Sequence, residues 1–109
     1  MSRHGFVLRI NPDRIAEYRR YHADVWPEIL QALRSACITN YSIFLKDDLL
    51  FGYWEYTGVP GEYETRLKAL ARASRMREWW GLMEDIQVPL DTREGGEWWA
   101  EMDEVFHLD

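Results

Sequence analysis

The chain has a single cysteine, Cys37, and so cannot close a disulfide within itself. That scarcity fits a reducing, cytoplasmic setting. Its three histidines, His4, His22 and His107, are widely separated, and no Cys/His cluster has zinc-ligand spacing, so no metal centre is expected. Basic residues are outnumbered, 13 against 19 acidic, for a net charge of −6. A protein that neutralises phosphates needs a basic face, so nucleic acid is not an expected partner. No Lys/Arg-rich stretch suits an anionic membrane surface. No apolar run approaches the roughly 18 residues of a transmembrane helix. Met1 to Ile10 lacks the basic segment and extended apolar core of a signal peptide. The chain also has no glycine-rich phosphate loop, no dinucleotide fingerprint and no serine elbow, which leaves no motif for a nucleotide cofactor or an acyl-transfer nucleophile.

What the chain does have is aromatic residues: 15% of the total, with six Trp and six Tyr among 109 residues. Such rings bring large apolar area with a polar handle, and suit a ligand cavity, a subunit interface or an enlarged small core. The length fits one domain spanning residues 1–109.

Alternation of Phe6, Leu8 and Ile10 with Val7 and Arg9 predicts a first strand over His4–Ile10. Asn11-Pro12-Asp13 then reads as a helix start, with Asn11 as cap. The helix is expected to reach about Ala36, with Pro27 kinking or dividing it after Trp26. Thr39–Lys46 and Leu49–Tyr56 alternate as two strands around an Asp47-Asp48 turn. In the second of these, Gly52 leaves space beside a ligand or a neighbouring backbone. Beyond the Gly58–Gly61 break, a helical region is expected from about Glu62 to Asp85, with Ser74 capping its second segment. Val88–Gly96 reads as a loop, and Met102, Glu104 and Phe106 alternate as a final strand. This order predicts an α+β fold, a ferredoxin-like βαββαβ sandwich with helices on one face of an antiparallel sheet. A partner subunit covering the free sheet face would give a homodimer.

Within the first helix Ile15, Tyr18, Val25, Trp26, Ile29 and Leu33 form one apolar stripe. His22 falls inside it, one turn after Tyr18. A histidine there either fills the core or works in a pocket, and the adjacent phenol supplies the second group that proton transfer needs. Tyr41 joins the pair if its strand face meets this helix. Trp79 and Trp80 are adjacent on a helix and so point about 100° apart. One can enter the core while the other lines a cavity, where indole stacks on the C–H face of a carbohydrate. Trp98-Trp99 has a weaker claim, to an interface. Arg72, Arg75 and Arg77 read as a solvated helix face, and Cys37 as a small buried residue.

Taken together, Phe6-Val7, Asn11-Pro12-Asp13, Glu17-Tyr18-Arg19-Arg20-Tyr21-His22, Trp26-Pro27-Glu28, Asn40-Tyr41-Ser42-Ile43, Leu49-Leu50-Phe51, Trp79-Trp80 and Glu104-Val105-Phe106 resemble the L-rhamnose mutarotase family, in order and with similar spacing. The resemblance implies a dimeric α/β-barrel of ferredoxin-like subunits and a cofactor-independent exchange of α and β anomers of a 6-deoxy-hexose. Carried over by position, it makes His22 the catalytic acid and Tyr18, Tyr41, Trp79 and Trp80 sugar-contacting residues. The stretch Val88–Gly96, followed by Trp98-Trp99, departs from the Asn/Pro/Asp/Ser-rich segment usual in the family. L-fucose or another neutral deoxy sugar therefore stays open beside L-rhamnose. Two other classes stay open as well: a cofactor-free monooxygenase of the same fold, and a non-catalytic sugar-binding or scaffold dimer.

Overall fold

The computed structural model describes residues 1–109. Strand β1 (Ser2–Ile10) leads through a 3-10 turn (Pro12–Arg14) into α1 (Ile15–Ala23) and α2 (Pro27–Ser35). Strands β2 (Ile38–Lys46) and β3 (Leu49–Tyr56) follow, then α3 (Tyr63–Arg72) and α4 (Ser74–Glu84), and finally the short strands β4 (Gln87–Val88) and β5 (Ala100–Met102).

The expected helix breaks have local causes. The Asn11 side chain accepts the Asp13 backbone N–H at 3.0 Å, and Pro12 opens the turn. The long helix divides at Pro27, which becomes the first residue of α2. Trp26 before it is extended at φ −56°, ψ 133°, as a residue preceding proline must be to avoid the ring. Ser74 is not a cap: it is the first helical residue of α4, and the extended residue ahead of it is Ala73, which has no side-chain acceptor.

The sheet runs β2-β3-β1-β4, with β5 also on β1, and every neighbouring pair is antiparallel. This is the expected ferredoxin-like order, with one correction. The last strand is not one strand over Met102–Phe106. Its place on the β1 edge is shared by β4, which pairs with Arg9 and Ile10, and β5, which pairs with Gly5–Val7. The ladder stops at Met102 because the residues beyond it have no layer to bury against: Val105 and Phe106 are 94% and 79% exposed. Side chains carry the register one step further, through a bidentate Arg3–Glu104 pair at 2.9 and 3.0 Å.

Paired residues of an antiparallel sheet share a face. Leu8 and Leu50, Phe6 and Gly52, and Ile38 and Tyr56 are such pairs on the helix-facing side. There Leu8, Ile10, Ile38, Leu50 and Tyr56 pack with Tyr18, Ile29, Leu70, Met76, Trp79, Met83 and Ile86. Gly52 does leave space for a neighbour, and the occupant is the Phe6 ring, which lies where a Cβ would be. On the other face Val7, Phe51 and Phe44 form a row across three strands, and Phe44 is 64% exposed.

One irregularity matters for the site. In β2 the register jumps between Thr39 and Ser42, so that Asn40 and Tyr41 together oppose Trp54. Asn40 takes the left-handed conformation, φ 48°, that a short polar side chain tolerates, and its amide donates to Glu55 Oε1 at 2.7 Å. Strict alternation would put Ile38 and Tyr41 on opposite faces. The extra residue brings both to the helix side.

Candidate active site

A cavity of about 750 Å³ opens between the inner sheet face and helices α1, α2 and α4. That volume lies within the range of small-molecule sites. Its walls are mostly apolar, and Tyr18, His22, Tyr41, Trp79 and Trp80 all contribute to them. The five residues singled out from the sequence therefore meet at one hollow.

His22 is half-buried. Its Nδ1 lies 2.9 Å from the Tyr18 carbonyl, one helical turn back. A carbonyl only accepts, so Nδ1 carries the proton and Nε2 is left as the basic atom. Nε2 has no protein partner and is not sealed from solvent. The imidazole lies against the Tyr18 ring, centroids 4.3 Å apart, and edge-on to Trp79 at 5.5 Å. Desolvation lowers its pKa below the ordinary histidine value, partly opposed by the bond to the Tyr18 carbonyl.

Tyr18 is buried at the base of the pair, 5% exposed. Burial pushes its phenol up to about 12, although a hydrogen bond from Gln87 works the other way. Tyr41, at the bulge, packs edge-on against Trp54 at 5.0 Å and Phe6 at 6.3 Å. Its phenol is raised by desolvation and then by the neighbouring Tyr18. At neutral pH both phenols keep their protons and the imidazole is uncharged. No carboxylate lines the cavity, and its charged lining residues are Arg19 and Arg34. The tryptophans divide as their spacing requires. Trp79 is 5% exposed and wedged against Tyr21 and Trp26, while Trp80 is half-buried on the wall.

Sequence reasoning missed Gln87, the one buried polar residue of the core. Its Nε2 donates to the Tyr18 hydroxyl at 3.1 Å, and its Oε1 accepts from Trp98 Nε1 at 2.8 Å. A polar residue between Ile86 and Val88 was the available signal, obscured because that stretch read as helix end and loop. Trp98 stays 36% exposed, and its indole N–H donates to Gln87. Trp54, Arg19, Thr39 and Asn40 also line the cavity and had not been singled out for it. No group of three or more His, Cys, Asp and Glu side chains is arranged to hold a metal ion. No helix is long and apolar enough to cross a membrane.

A ferredoxin-like sheet whose helix side holds an aromatic hollow with one accessible imidazole defines an α+β domain with a cavity of small-molecule size. The family model for L-rhamnose mutarotase matches residues 3–108, so the chain belongs to the L-rhamnose mutarotase family. An L-rhamnose mutarotase of Mannheimia succiniciproducens is 37% identical over 111 residues, covering 100% of both chains. One from Yersinia pestis is 40% identical over 88 residues, covering 79% of this chain and 80% of its own. Among solved structures, the crystal structure of an L-rhamnose mutarotase from Formosa agariphila superposes over 100% of both chains with a TM-score of 0.77 at 24% identity, a likeness of fold.

Proposed function

We propose that the chain interconverts the α and β anomers of a 6-deoxy-hexose, L-rhamnose first, with His22 as the proton carrier. The observation that carries this reading is the accessible Nε2 of His22 in a cavity that holds phenols and indoles and no carboxylate. Ring opening removes the proton from the anomeric hydroxyl, breaks the bond between the anomeric carbon and the ring oxygen, and puts a proton on that oxygen. Closure on the other face reverses each change, so protons and electrons balance with no co-reactant. Both oxygens are bonded to one carbon, so a single nitrogen reaches both in turn. Nε2 takes the anomeric proton, protonates the ring oxygen on opening, and recovers that proton on closure. Such transfers contribute roughly 10²–10⁴-fold. Tyr18 orients the sugar, Tyr41 binds a hydroxyl, and Trp79 and Trp80 hold the apolar side while the open chain turns about one bond.

Saturation-transfer NMR of anomeric protons tests this at equilibrium, across L-rhamnose, L-fucose and common hexoses. His22→Ala should lower exchange by roughly 10²-fold or more in a folded protein. Unchanged exchange in that variant would end the catalytic role. Tyr18→Phe should weaken both turnover and sugar affinity.

The same proposal includes a homodimer built on the free sheet face. The apolar row Val7–Phe51–Phe44 supports it, since an exposed Phe44 beside other apolar residues marks an association surface. Phe44→Glu should shift the sedimentation coefficient to that of a monomer. A cytoplasmic setting belongs to the proposal as well, supported by the lone, half-buried Cys37.

A further inference from the structure

Tyr18 lines the cavity beside His22, and its hydroxyl can either donate or accept. Which it does toward a sugar depends on what the protein does with the other half of its bonding capacity. The chain Trp98–Gln87–Tyr18 fixes that choice. An indole N–H has no acceptor capacity, so the amide atom 2.8 Å from Trp98 Nε1 must be the Gln87 oxygen. The amide is planar, so its other end, 3.1 Å from the Tyr18 oxygen, is the NH₂ group, which only donates. Tyr18 therefore accepts from Gln87 with a lone pair, and its own proton has no partner within the protein. On the other side of the pair, the Tyr18 carbonyl holds His22 with Nδ1 protonated. The two neighbours are set to opposite roles, a donor at the phenol and an acceptor at Nε2.

We propose that Gln87 and Trp98 are positioning residues for anomer exchange: they hold Tyr18 as a hydrogen-bond donor to the sugar, and so make it complementary to His22. The inference rests on the function proposed above. Burial strengthens it. Gln87 is 8% exposed, and a buried amide is retained only where its hydrogen bonds are met. Its position is fixed by ladder pairing of β4 with Ile10.

The direction of the amide can be reversed without changing its shape. In Gln87→Glu, assayed at a pH high enough to ionise the buried carboxyl, the carboxylate accepts from both Trp98 and Tyr18, drawing the phenolic proton out of the cavity. In Gln87→Met there is no acceptor, and Tyr18 stays free to donate. Trp98→Phe removes only the constraint, letting the amide turn over. By saturation-transfer NMR with L-rhamnose, Gln87→Glu should lower kcat/KM about tenfold, the scale of one neutral hydrogen bond. Gln87→Met should lose clearly less, and Trp98→Phe should fall between them. In a Tyr18→Phe background all three differences should vanish to within about twofold. If Gln87→Glu does not fold, as judged by circular dichroism, Trp98→Phe with and without Tyr18→Phe gives the same test.

A loss in Gln87→Met as large as in Gln87→Glu, or one that persists without the Tyr18 hydroxyl, would reduce both residues to packing and overturn the inference. Exchange that depends on His22 but is indifferent to Gln87→Glu overturns the inference alone. Absence of exchange by the unsubstituted chain on every sugar removes the functional reading and this inference with it.

Discussion

Replacing Gly52 by alanine should be costly, although alanine is ordinarily the better strand residue. Gly52 is buried in β3 opposite Phe6, and an added methyl would overlap Cε2 and Cδ2 of the Phe6 ring and sit 3.1 Å from Cζ. The ring has little room to retreat. Trp54 lies edge-on at 4.9 Å, Trp99 at 5.2 Å and Tyr41 at 6.3 Å. Overpacking of this kind costs roughly 1–3 kcal/mol. Relief of glycine's conformational entropy returns about 0.5–1 kcal/mol. A net loss of about 1–2 kcal/mol corresponds to a fall in Tm of roughly 5–15 °C for a domain of this length. Thermal melts of Gly52→Ala measure it directly. Because the displaced ring presses on Trp54 and Tyr41, KM for the sugar should rise several-fold before kcat changes. The decisive comparison is the same substitution in a Phe6→Ala background, where Gly52→Ala should become neutral or mildly stabilising. An unchanged Tm in the single variant, or an equal loss with and without the Phe6 ring, would refute the steric account.

Three further outcomes are expected. Desolvation places the His22 pKa below 6.5, so between the folded and unfolded values the unfolded chain binds more protons; stability is complete above pH 6.5 and declines as pH falls through the folded value. His4, desolvated in its stack on Tyr63, adds to the same decline, and denaturant titrations across that range in His22→Ala should retain only its share. For the same reason the acid limb of kcat/KM should lie below pH 6.5; a limb above it would contradict a desolvated imidazole. At the bulge, Asn40→Gly should be tolerated, whereas Asn40→Val should cost about 1–2 kcal/mol for a left-handed β-branched residue, with weaker sugar binding as Tyr41 shifts. Equal stability of the two variants in chemical denaturation would refute this.

The elements with strong local signals were legible in the sequence. Strand β3 has the expected bounds, Leu49–Tyr56, because its alternation ends at turn residues on both sides. The division at Pro27 follows from a missing backbone donor. The closeness of Tyr18 and His22 on α1 was legible because helical spacing alone puts them together. What could not be read depended on partners distant in sequence. Gln87 and Trp98 acquire meaning only once Tyr18 is between the helix layer and the β1 edge. The end of the ladder at Met102 reflects what β5 lacks to pack on, not the alternation of its residues. The bulge at Asn40-Tyr41 is hidden for a related reason: its pattern looks regular from Tyr41 onward, and only pairing with Trp54 exposes the extra residue.

The outer edge of β1 is occupied by two short pieces, Gln87–Val88 and Ala100–Met102, with residues 89–99 bridging them. Each piece is moored independently, so that bridge can be lengthened, shortened or rewritten over generations without sliding the rest of the sheet. In such an architecture the bridge can change length while the cavity keeps its walls, since no residue of 89–99 lines it.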